Sequence, residues 1–401
     1  MALDFSGYEA ARRLHAYLLR HHWREHRLIG PDPGIRFNSR IGRFLKSYLG
    51  FLPWRDDLVY MQAQGYWVLA NWLLWDRTGE ADCRDVAVAC ARYILACQRA
   101  DGAWVYPNPE WKGRVATAEG TWSALGLVET YRQTGDREFL QGALRWYQCL
   151  VETIKFERVG EELAINYFAN LGRARVPNNS VMVLRFLAEL AELTGDPDYL
   201  QHVPGLLLFL QRAQRDSGEF PYVAPDARQG GRVHFQCYQY NAFEFLDLTR
   251  YFQLQGQTGL PPLAARLLRF LRGGQRPGGS AYFACDNRYR TVVYHTAVLA
   301  AAFRAAQQRG AADCGPLADR GYARLRRWQR GDGSFPYSQG DYRVLRDRRS
   351  YPRYLAMILL HLLLDDPVPA AQGLRSGASE QPRTAASPPA LGSAPVVQGG
   401  G

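Results

Sequence analysis

The chain contains the stretch Gln98-Arg-Ala-Asp-Gly102-Ala-Trp104, and its spacing of Gln and Gly recurs. The recurrences begin at Gln214, Gln275 and Gln329, and an aromatic residue follows the glycine in all copies except the one at Gln275. The copies lie roughly 50 to 60 residues apart, except for one interval of about twice that length, and such a period is typical of repeat architectures. One copy is therefore expected to be degenerate, near Lys155 to Asn166.

A second series of glycines has the same period. Segments with helical apolar periodicity end at Gly79, Gly135, Gly195, Gly256 and Gly310. A glycine in this position is typical of a helix C-terminus, because it adopts the left-handed conformation without a Cβ clash. Each repeat is therefore predicted to be a helical hairpin, with a long helix, a glycine turn, a second helix and the Gln-x3-Gly loop.

The composition favours one large soluble domain. The chain has 401 residues and is 47% hydrophobic, which is enough for a large core. We expect residues 1–366 to form a single domain and residues 367–401, rich in Pro, Ala, Gly and Ser, to form a disordered tail. No signal peptide is visible, and the longest apolar run is shorter than the ~20 residues that span a bilayer. We therefore expect a cytoplasmic protein without a transmembrane segment, whose oligomeric state the sequence leaves open.

The cysteines and the basic residues suggest few specific partners. Seven cysteines do not follow a disulfide pattern, and Cys83, Cys90 and Cys97 have the spacing of a buried helical stripe. The net charge of +11 comes mainly from arginine, and no nucleic-acid-binding module is visible, so nucleic acid is not an expected partner. The densest basic group either meets an anionic ligand or forms an ordinary basic loop before the last helix. Its members are Arg343, Arg346, Arg348, Arg349 and Arg353.

Six hairpins can be laid out along the chain, and this predicts an all-α protein. One helix of each hairpin is hydrophobic almost all round, which is typical of a helix buried on two sides. A ring of six such hairpins is an (α/α)6 toroid with its cavity at one end of the inner helices. The predicted inner helices are Leu58–Trp75, Thr117–Gln133, Ser180–Leu193, Gln236–Gln255, Thr291–Gln308 and Pro352–Leu364.

The recurring loop resembles the QW motif of the terpenoid cyclase and protein prenyltransferase superfamily, over roughly residues 55–364. The resemblance implies a toroid in which each glutamine binds neighbouring backbone. The Thr-Gly-Asp turns and Asp-Gly-x-aromatic loops are also similar to carbohydrate-active α/α toroids, such as glucuronyl epimerases and unsaturated-uronide hydrolases. Because many chemistries share this fold, the function must be inferred from the cavity.

Polar residues recur near the first turn of the inner helices. Burying them unpaired would cost about 1 to 3 kcal/mol each, so we expect them to line the cavity, where the helix dipoles favour a polar or anionic ligand. The alternative is that they cap helices or pack in the core. The expected catalytic residues are Glu119, His234, Tyr240, Tyr294 and His295. The expected substrate-binding residues are Tyr60, Gln62, Gln64, Asn178, Asn179, Gln236, Tyr238, Asn241 and Arg288.

This inventory favours acid–base chemistry on a polar or anionic saccharide or glycoconjugate, as in an epimerase or a lyase. Tyrosine or histidine can exchange protons with a sugar, and arginine and asparagine can stabilise the enolate charge. A glycosidase would need two opposed carboxylates, and only Glu119 has a place in the ring. One alternative is an isoprenoid enzyme related to terpenoid cyclases or prenyltransferases, although their acidic signatures are missing. Another is a non-catalytic toroid that binds a glycan or a peptide.

No cofactor is expected, since motifs for nucleotides, flavin or pyridoxal phosphate are not apparent. The alternative is a zinc site, because protein prenyltransferases bind zinc through cysteine, histidine and aspartate. The residues that resemble part of that set are His234, Cys237 and His295, which would leave an open position on the metal.

Overall fold

Helices form most of the computed structural model, which describes residues 7–34, 40–108, 111, 113–170, 174–225, 230–341 and 344–365. The expected tail at 367–401, and Arg343 in the basic group, lie outside the described residues. The outer helices are α1 (Gly7–His21), α4 (Ala81–Ala96), α6 (Arg137–Cys149), α8 (Val203–Ala213), α10 (Pro262–Arg272) and α12 (Gly315–Trp328). The inner helices are α3 (Met61–Thr78), α5 (Thr117–Thr134), α7 (Pro177–Thr194), α9 (Cys237–Leu254), α11 (Val293–Gln308) and α13 (Pro352–Leu363).

The inner helices pack against one another in sequence order. Helix α3 contacts α5, α5 contacts α7, and the series continues through α9 and α11 to α13, which packs back against α3. Each inner helix also packs against an outer helix, and the outer helix that packs against α13 is α1. All six inner helices begin and end within one turn of their predicted bounds. Helix α2 (Arg40–Tyr48) was not predicted and lies outside this series.

Each copy of the recurring loop links the outer helix before it to the next outer helix. Gln98 follows α4 and donates its side-chain amide to the carbonyls of Gly102 and Gly142, both at 2.9 Å, and Gly142 belongs to α6. Gly102 has φ +79°, and a Cβ at this position would lie 2.2 Å from the carbonyl oxygen of Arg145. The loop therefore requires glycine both for its backbone conformation and for its close approach to α6.

The last copy of the loop connects the end of the chain to its beginning. Gln329 follows α12 and donates to the carbonyls of Gly333 at 3.0 Å and of Ala10 in α1 at 2.8 Å. A Cβ on Gly333 would lie 2.3 Å from the carbonyl oxygen of Arg13. The same contact thus joins α12 to α1 and α4 to α6.

A β-hairpin takes the place of the degenerate copy. Helix α6 continues into a π-helical turn (Leu150–Ile154), and β3 (Phe156–Val159) then pairs antiparallel with β4 (Glu162–Ile165), which packs on α8. A second short hairpin, β1 (Trp23–Arg24) with β2 (Arg27–Leu28), follows α1. A third pairing, β5 (Thr291–Val292) with β6 (Ser338–Gly340), joins the segments before α11 and α13. These strands are too short for a period-2 pattern to predict them.

The helix ends agree with the glycine series. Helices α3, α5 and α7 end at Gly79, Gly135 and Gly195, each in the left-handed conformation. Helices α9 and α11 end two residues before Gly256 and Gly310, which also have positive φ. No described helix has the length and apolar character needed to cross a membrane.

Candidate active site

A cavity of about 650 Å³ opens at the N-terminal ends of the inner helices. Its wall combines many aromatic rings with a smaller number of polar groups, which is typical of ligand sites. The aromatic residues are Tyr66, Tyr106, Trp111, Trp122, Tyr167, Phe168, Tyr222, Tyr240, Phe243, Tyr294, Tyr337 and Tyr354. The polar residues are Asp32, Gln62, Asn108, Glu119, Asn166, Asn178, Asn179, Gln236, Gln239, Asp247 and Arg353.

Arg353, in the first turn of α13, is the centre of the polar wall. Its Nη2 donates to Gln62 Oε1 at 2.6 Å, and its Nη1 lies 3.4 Å from the Tyr106 hydroxyl. The guanidinium also lies over the ring of Tyr60, with its Cζ 4.3 Å from the ring centroid. The side chain keeps 17% of its surface exposed, so this fixed positive charge is accessible from the cavity.

Glu119 lies beside Arg353 and has no exposed surface. Its Oε2 accepts a hydrogen bond from the backbone N–H of Gln62 at 2.8 Å, at the positive end of α3. Its Oε1 has no hydrogen-bond partner and lies 3.8 Å from Arg353 Nη2. Burial raises the pKa of Glu119, and the charge of Arg353 and the backbone hydrogen bond offset this only in part. The raised pKa and the unpartnered oxygen make Glu119 a candidate for proton transfer.

Asp32 supplies a second carboxylate, which the sequence analysis missed. It lies in the loop before α2, is 1% exposed and accepts a hydrogen bond from the backbone N–H of Gly34 at 2.7 Å. Its Oδ2 is 3.8 Å from Arg353 Nη1. Two carboxylates therefore approach different nitrogens of the same guanidinium.

The opposite wall carries hydroxyl and amide groups. The Tyr294 hydroxyl lies 3.4 Å from Gln236 Oε1, and Tyr240 packs against Tyr222 with ring centroids 5.1 Å apart. Burial raises the pKa of Tyr294 and of Tyr240 well above that of a free phenol, so both hydroxyls stay protonated at neutral pH and can donate hydrogen bonds. Asn179 donates to a backbone carbonyl, while its Oδ1 is buried without a partner.

Seven of the predicted site residues line the cavity, and Tyr60 lies directly beneath Arg353. The seven are Gln62, Glu119, Asn178, Asn179, Gln236, Tyr240 and Tyr294. The other predicted residues do not line it, for structural reasons that follow.

Gln64 and Asn241 were expected to bind substrate but instead tie backbone segments to helices. Gln64 is fully buried and exchanges hydrogen bonds with the backbone of Leu28. Asn241 does the same with the backbone of Phe220. Each side-chain amide makes its hydrogen bonds within the protein, so both residues have a structural role and do not bind substrate.

Tyr238 and Arg288 face away from the cavity. Tyr238 stacks on Phe270 of α10 with ring centroids 5.0 Å apart. Arg288 is exposed, and its guanidinium lies over the ring of Tyr282. Neither residue lines the cavity.

The two predicted catalytic histidines also require correction. His295 is 1% exposed and stacks on Phe283, and neither of its ring nitrogens has a partner. Burial lowers the pKa of His295 far below its ordinary value, so the ring is neutral. His234 lies at the rim, where its Nδ1 is 3.0 Å from Glu219 Oε1. The proposed set of His234, Cys237 and His295 does not meet, because His295 is not among the ligands that cluster around His234.

The sequence held weak signals for the residues that were missed. Asp32 stands between two prolines, Pro31 and Pro33, in a segment too short to be a helix. Arg353 belongs to the dense arginine group that was considered for anion binding. Arg349 of the same group instead donates to backbone carbonyls that include Leu49.

Comparison with known proteins defines the class of fold. No family model and no curated protein matches the sequence. The structure is similar to a cellobiose 2-epimerase from Bacillus thermoamylovorans, with TM-score 0.67 and 14% identity, covering 89% of this chain and 98% of that one. It is also similar to a possible member of family GH105 from Salmonella enterica, with TM-score 0.65 and 13% identity, covering 91% and 95%.

A polysaccharide lyase has TM-score 0.59 and 13% identity, covering 89% of this chain and 96% of that one. At such identities the likeness establishes the fold alone, an α/α toroid of the kind found in carbohydrate-active proteins. The terpenoid cyclase part of the resemblance continues to rest on the loop motif only.

Proposed function

We propose that the protein is an enzyme that acts on a polar saccharide or glycoconjugate by acid–base chemistry, within a closed (α/α)6 ring. The observation that carries this proposal is the group formed by Arg353, Glu119, Asp32 and Gln62 in an open, aromatic-walled cavity. The chemistry named in the descriptions of the similar structures, epimerisation and lyase activity on carbohydrates, agrees with it.

Glu119 is the proposed proton-transferring group. In a favoured sequence, its carboxylate removes a proton from a sugar carbon next to a carbonyl or carboxylate group. Arg353 stabilises the negative charge that develops on the oxygen of that group. Return of a proton to the other face of the carbon completes an epimerisation, and loss of a leaving group from the next carbon completes an elimination. Tyr294 or Tyr240 is suited to supply the proton.

The aromatic rings and orphaned amide oxygens account for recognition of a saccharide. Trp111 and Phe168 stack on each other at 5.2 Å and both line the cavity, where a ring face can pack on the C–H face of a sugar. The buried oxygens Asn179 Oδ1 and Gln239 Oε1 have no partner, and each could accept a hydrogen bond from a sugar hydroxyl. An anionic sugar would place its carboxylate on Arg353.

Hydrolysis is the second candidate, because the structure supplies the second carboxylate that the sequence analysis did not find. The carboxylates of Asp32 and Glu119 lie near different nitrogens of the Arg353 guanidinium. A glycosidase needs two carboxyl groups that flank the glycosidic bond it cleaves. The isoprenoid alternative is not favoured, because the similar structures are described as carbohydrate-processing proteins. The sequence-based expectations of a cytoplasmic location and no cofactor in the reaction remain predictions.

The test is incubation of the protein with matched neutral and uronate-containing oligosaccharides in deuterated water. Epimerisation places deuterium on a sugar carbon, elimination creates an ultraviolet-absorbing double bond, and hydrolysis adds solvent oxygen to the product. Failure to convert any saccharide, combined with saccharide binding in the cavity, would support the non-catalytic binding toroid instead.

A further inference from the structure

Four side chains with metal-ligating atoms meet at the rim, outside the group around Arg353. They are Glu219, His234, Cys237 and Cys285, and their ligand atoms all lie within 4.8 Å of one another. Glu219 follows α8, His234 precedes α9, Cys237 is the first residue of α9, and Cys285 lies between α10 and α11. Within the described ranges, no other group of three or more such residues comes together in this way.

Local hydrogen bonds hold the three segments at this point. The Asn241 side chain clasps the backbone of Phe220, which fixes the loop carrying Glu219 against α9. The backbone N–H of Cys285 donates to Cys237 Sγ at 2.9 Å, as N–H groups do around metal-bound sulfur. The grouping is therefore built by the fold and does not depend on long mobile side chains.

The donor set matches zinc. Two sulfurs, one imidazole and one carboxylate are ligands that Zn²⁺ accepts in a tetrahedral site, whereas Ca²⁺ and Mg²⁺ prefer oxygen only. The Glu219 side chain is 2% exposed, and its Oε1 lies 3.0 Å from His234 Nδ1. Burying a charged carboxylate is costly unless it is paired, and a cation bound by Glu219 and the two sulfurs would offset that cost.

The two sulfurs must move apart to share a metal ion. Cys237 Sγ and Cys285 Sγ are 2.6 Å apart, between the ~2.0 Å of a disulfide and the separation in a zinc site. Bonds of ~2.3 Å from each sulfur to a tetrahedral zinc would place the sulfurs about 3.8 Å apart. Cys285 is only half-buried, so its side chain has room for this change.

We propose that Glu219, His234, Cys237 and Cys285 bind a structural zinc ion that fixes one wall of the cavity. Binding displaces the protons of the two thiols, which leave to solvent. Four protein ligands leave no open position, so the ion does not bind substrate. Gln236, between His234 and Cys237, has φ +47° and presents its side chain to the cavity beside Tyr294. The ion would hold this unusual backbone turn in place.

The experiment measures metal content in protein produced without a histidine tag in zinc-supplemented medium. We expect about one zinc per chain in the natural protein and less than about a tenth of that in Cys237→Ser and Cys285→Ser. Cys97→Ser is the matched control, because Cys97 is also half-buried but lies outside the group, and it should keep its zinc. Replacement of zinc by Co²⁺ should give a sulfur-to-cobalt absorption band in the natural protein and in Cys97→Ser, and none in the other two variants.

Two further measurements keep the proposal falsifiable if a cysteine variant folds poorly. Glu219→Gln, which retains the shape of the side chain, should weaken zinc affinity by about 10- to 100-fold. A chelator should lower the melting temperature of the natural protein and leave that of Cys285→Ser unchanged. Zinc content near zero in the natural protein, or a covalent bond between Cys237 and Cys285 detected by mass spectrometry without reductant, would overturn the proposal.

Discussion

The two ends of the inner helices carry cavities of similar size in which the buried acids are paired differently. The N-terminal ends of the inner helices surround about 650 Å³, and their C-terminal ends surround about 710 Å³. At the first end Glu119 keeps an unpartnered oxygen. At the second end the carboxylate of the buried Glu189 forms ion pairs with Arg250 Nε at 2.7 Å and with Arg132 Nη2 at 2.8 Å.

Burial affects these two glutamates equally in principle, but their partners differ. Burial tends to raise the pKa of Glu189, yet the hydrogen bond from Arg250 and the charges of Arg185 and Arg132 outweigh it and lower the pKa to about 2. For Glu119, burial outweighs Arg353 and the pKa rises. Arginines near helix C-termini also complement the helix dipoles. A cavity with satisfied charges stabilises the fold, whereas a cavity with an incompletely paired acid is suited to chemistry.

The largest expected effect is on catalysis. Glu119→Gln should lower turnover of the saccharide by about 10²- to 10⁴-fold, because an amide cannot exchange the proton. The variant should fold normally, since it removes an acid whose burial is unfavourable. Glu129→Gln, on the same helix but at the C-terminal end, is the matched control and should keep full turnover. Equal turnover in the natural protein and in Glu119→Gln would contradict the assignment.

The next effect is on stability at the other end. Glu189→Gln should lower the free energy of unfolding by about 3 to 5 kcal/mol, because several arginines lose their buried counter-charge. Urea unfolding at neutral pH measures this directly. Turnover at a temperature where the variant remains folded should be unchanged, and a loss of turnover as large as that of Glu119→Gln would break the distinction between the two ends.

Replacement of glycine by alanine should also destabilise the protein to different extents at the two ends. Gly333→Ala, at the loop end, combines φ +90° with a Cβ 2.3 Å from a carbonyl of α1, and we expect a loss of at least about 3 kcal/mol in unfolding free energy. Gly79→Ala, at the helix C-terminus, has φ +67° but nothing within 4 Å of the new Cβ, so about 1 kcal/mol is expected. Equal losses of unfolding free energy in the two variants would show that the close approach of Gly333 to α1 does not add to the cost of the substitution.

The two ends should also differ in pH dependence. The depressed pKa of Glu189 adds stability above the unfolded value of 4.5, and this is lost as the pH falls toward about 2. The natural protein should therefore lose about 2 to 3 kcal/mol more than Glu189→Gln between neutral pH and pH ~2. Glu119 has the opposite sign, since its raised pKa makes the ionised form costly, so Glu119→Gln should lose less stability than the natural protein as the pH rises.

The helices were predictable because their signals are local. Apolar periodicity and the capping glycines depend on residues within a turn of each other, and they gave the bounds and the inner and outer assignment. The hairpins β1–β2 and β3–β4 were not predicted, because strands of two to four residues have no readable period. Their pairing depends on contacts that form only in the folded chain, such as β4 against α8.

The sequence predicted at which turn of each inner helix the site residues lie, but not which of their side chains face the cavity. Aligning the glycines identifies residues near the first turn, yet successive residues on a helix point about 100° apart. Tyr294 therefore faces the cavity while the adjacent His295 packs on Phe283. Asp32 lies outside the repeat, and α13, which carries Arg353, has no capping glycine at its end, so the alignment could not include either residue.

The measurement that most directly tests which end is the functional site is hydrogen exchange of Glu119→Gln with and without its saccharide. The variant allows binding to be observed without turnover. We predict ligand-dependent protection at the first turns of α3, α5 and α13, around Gln62, Glu119 and Arg353, and unchanged exchange at residues 246–258. Protection confined to residues 246–258 at the C-terminal end, with no change around Arg353, would contradict the account.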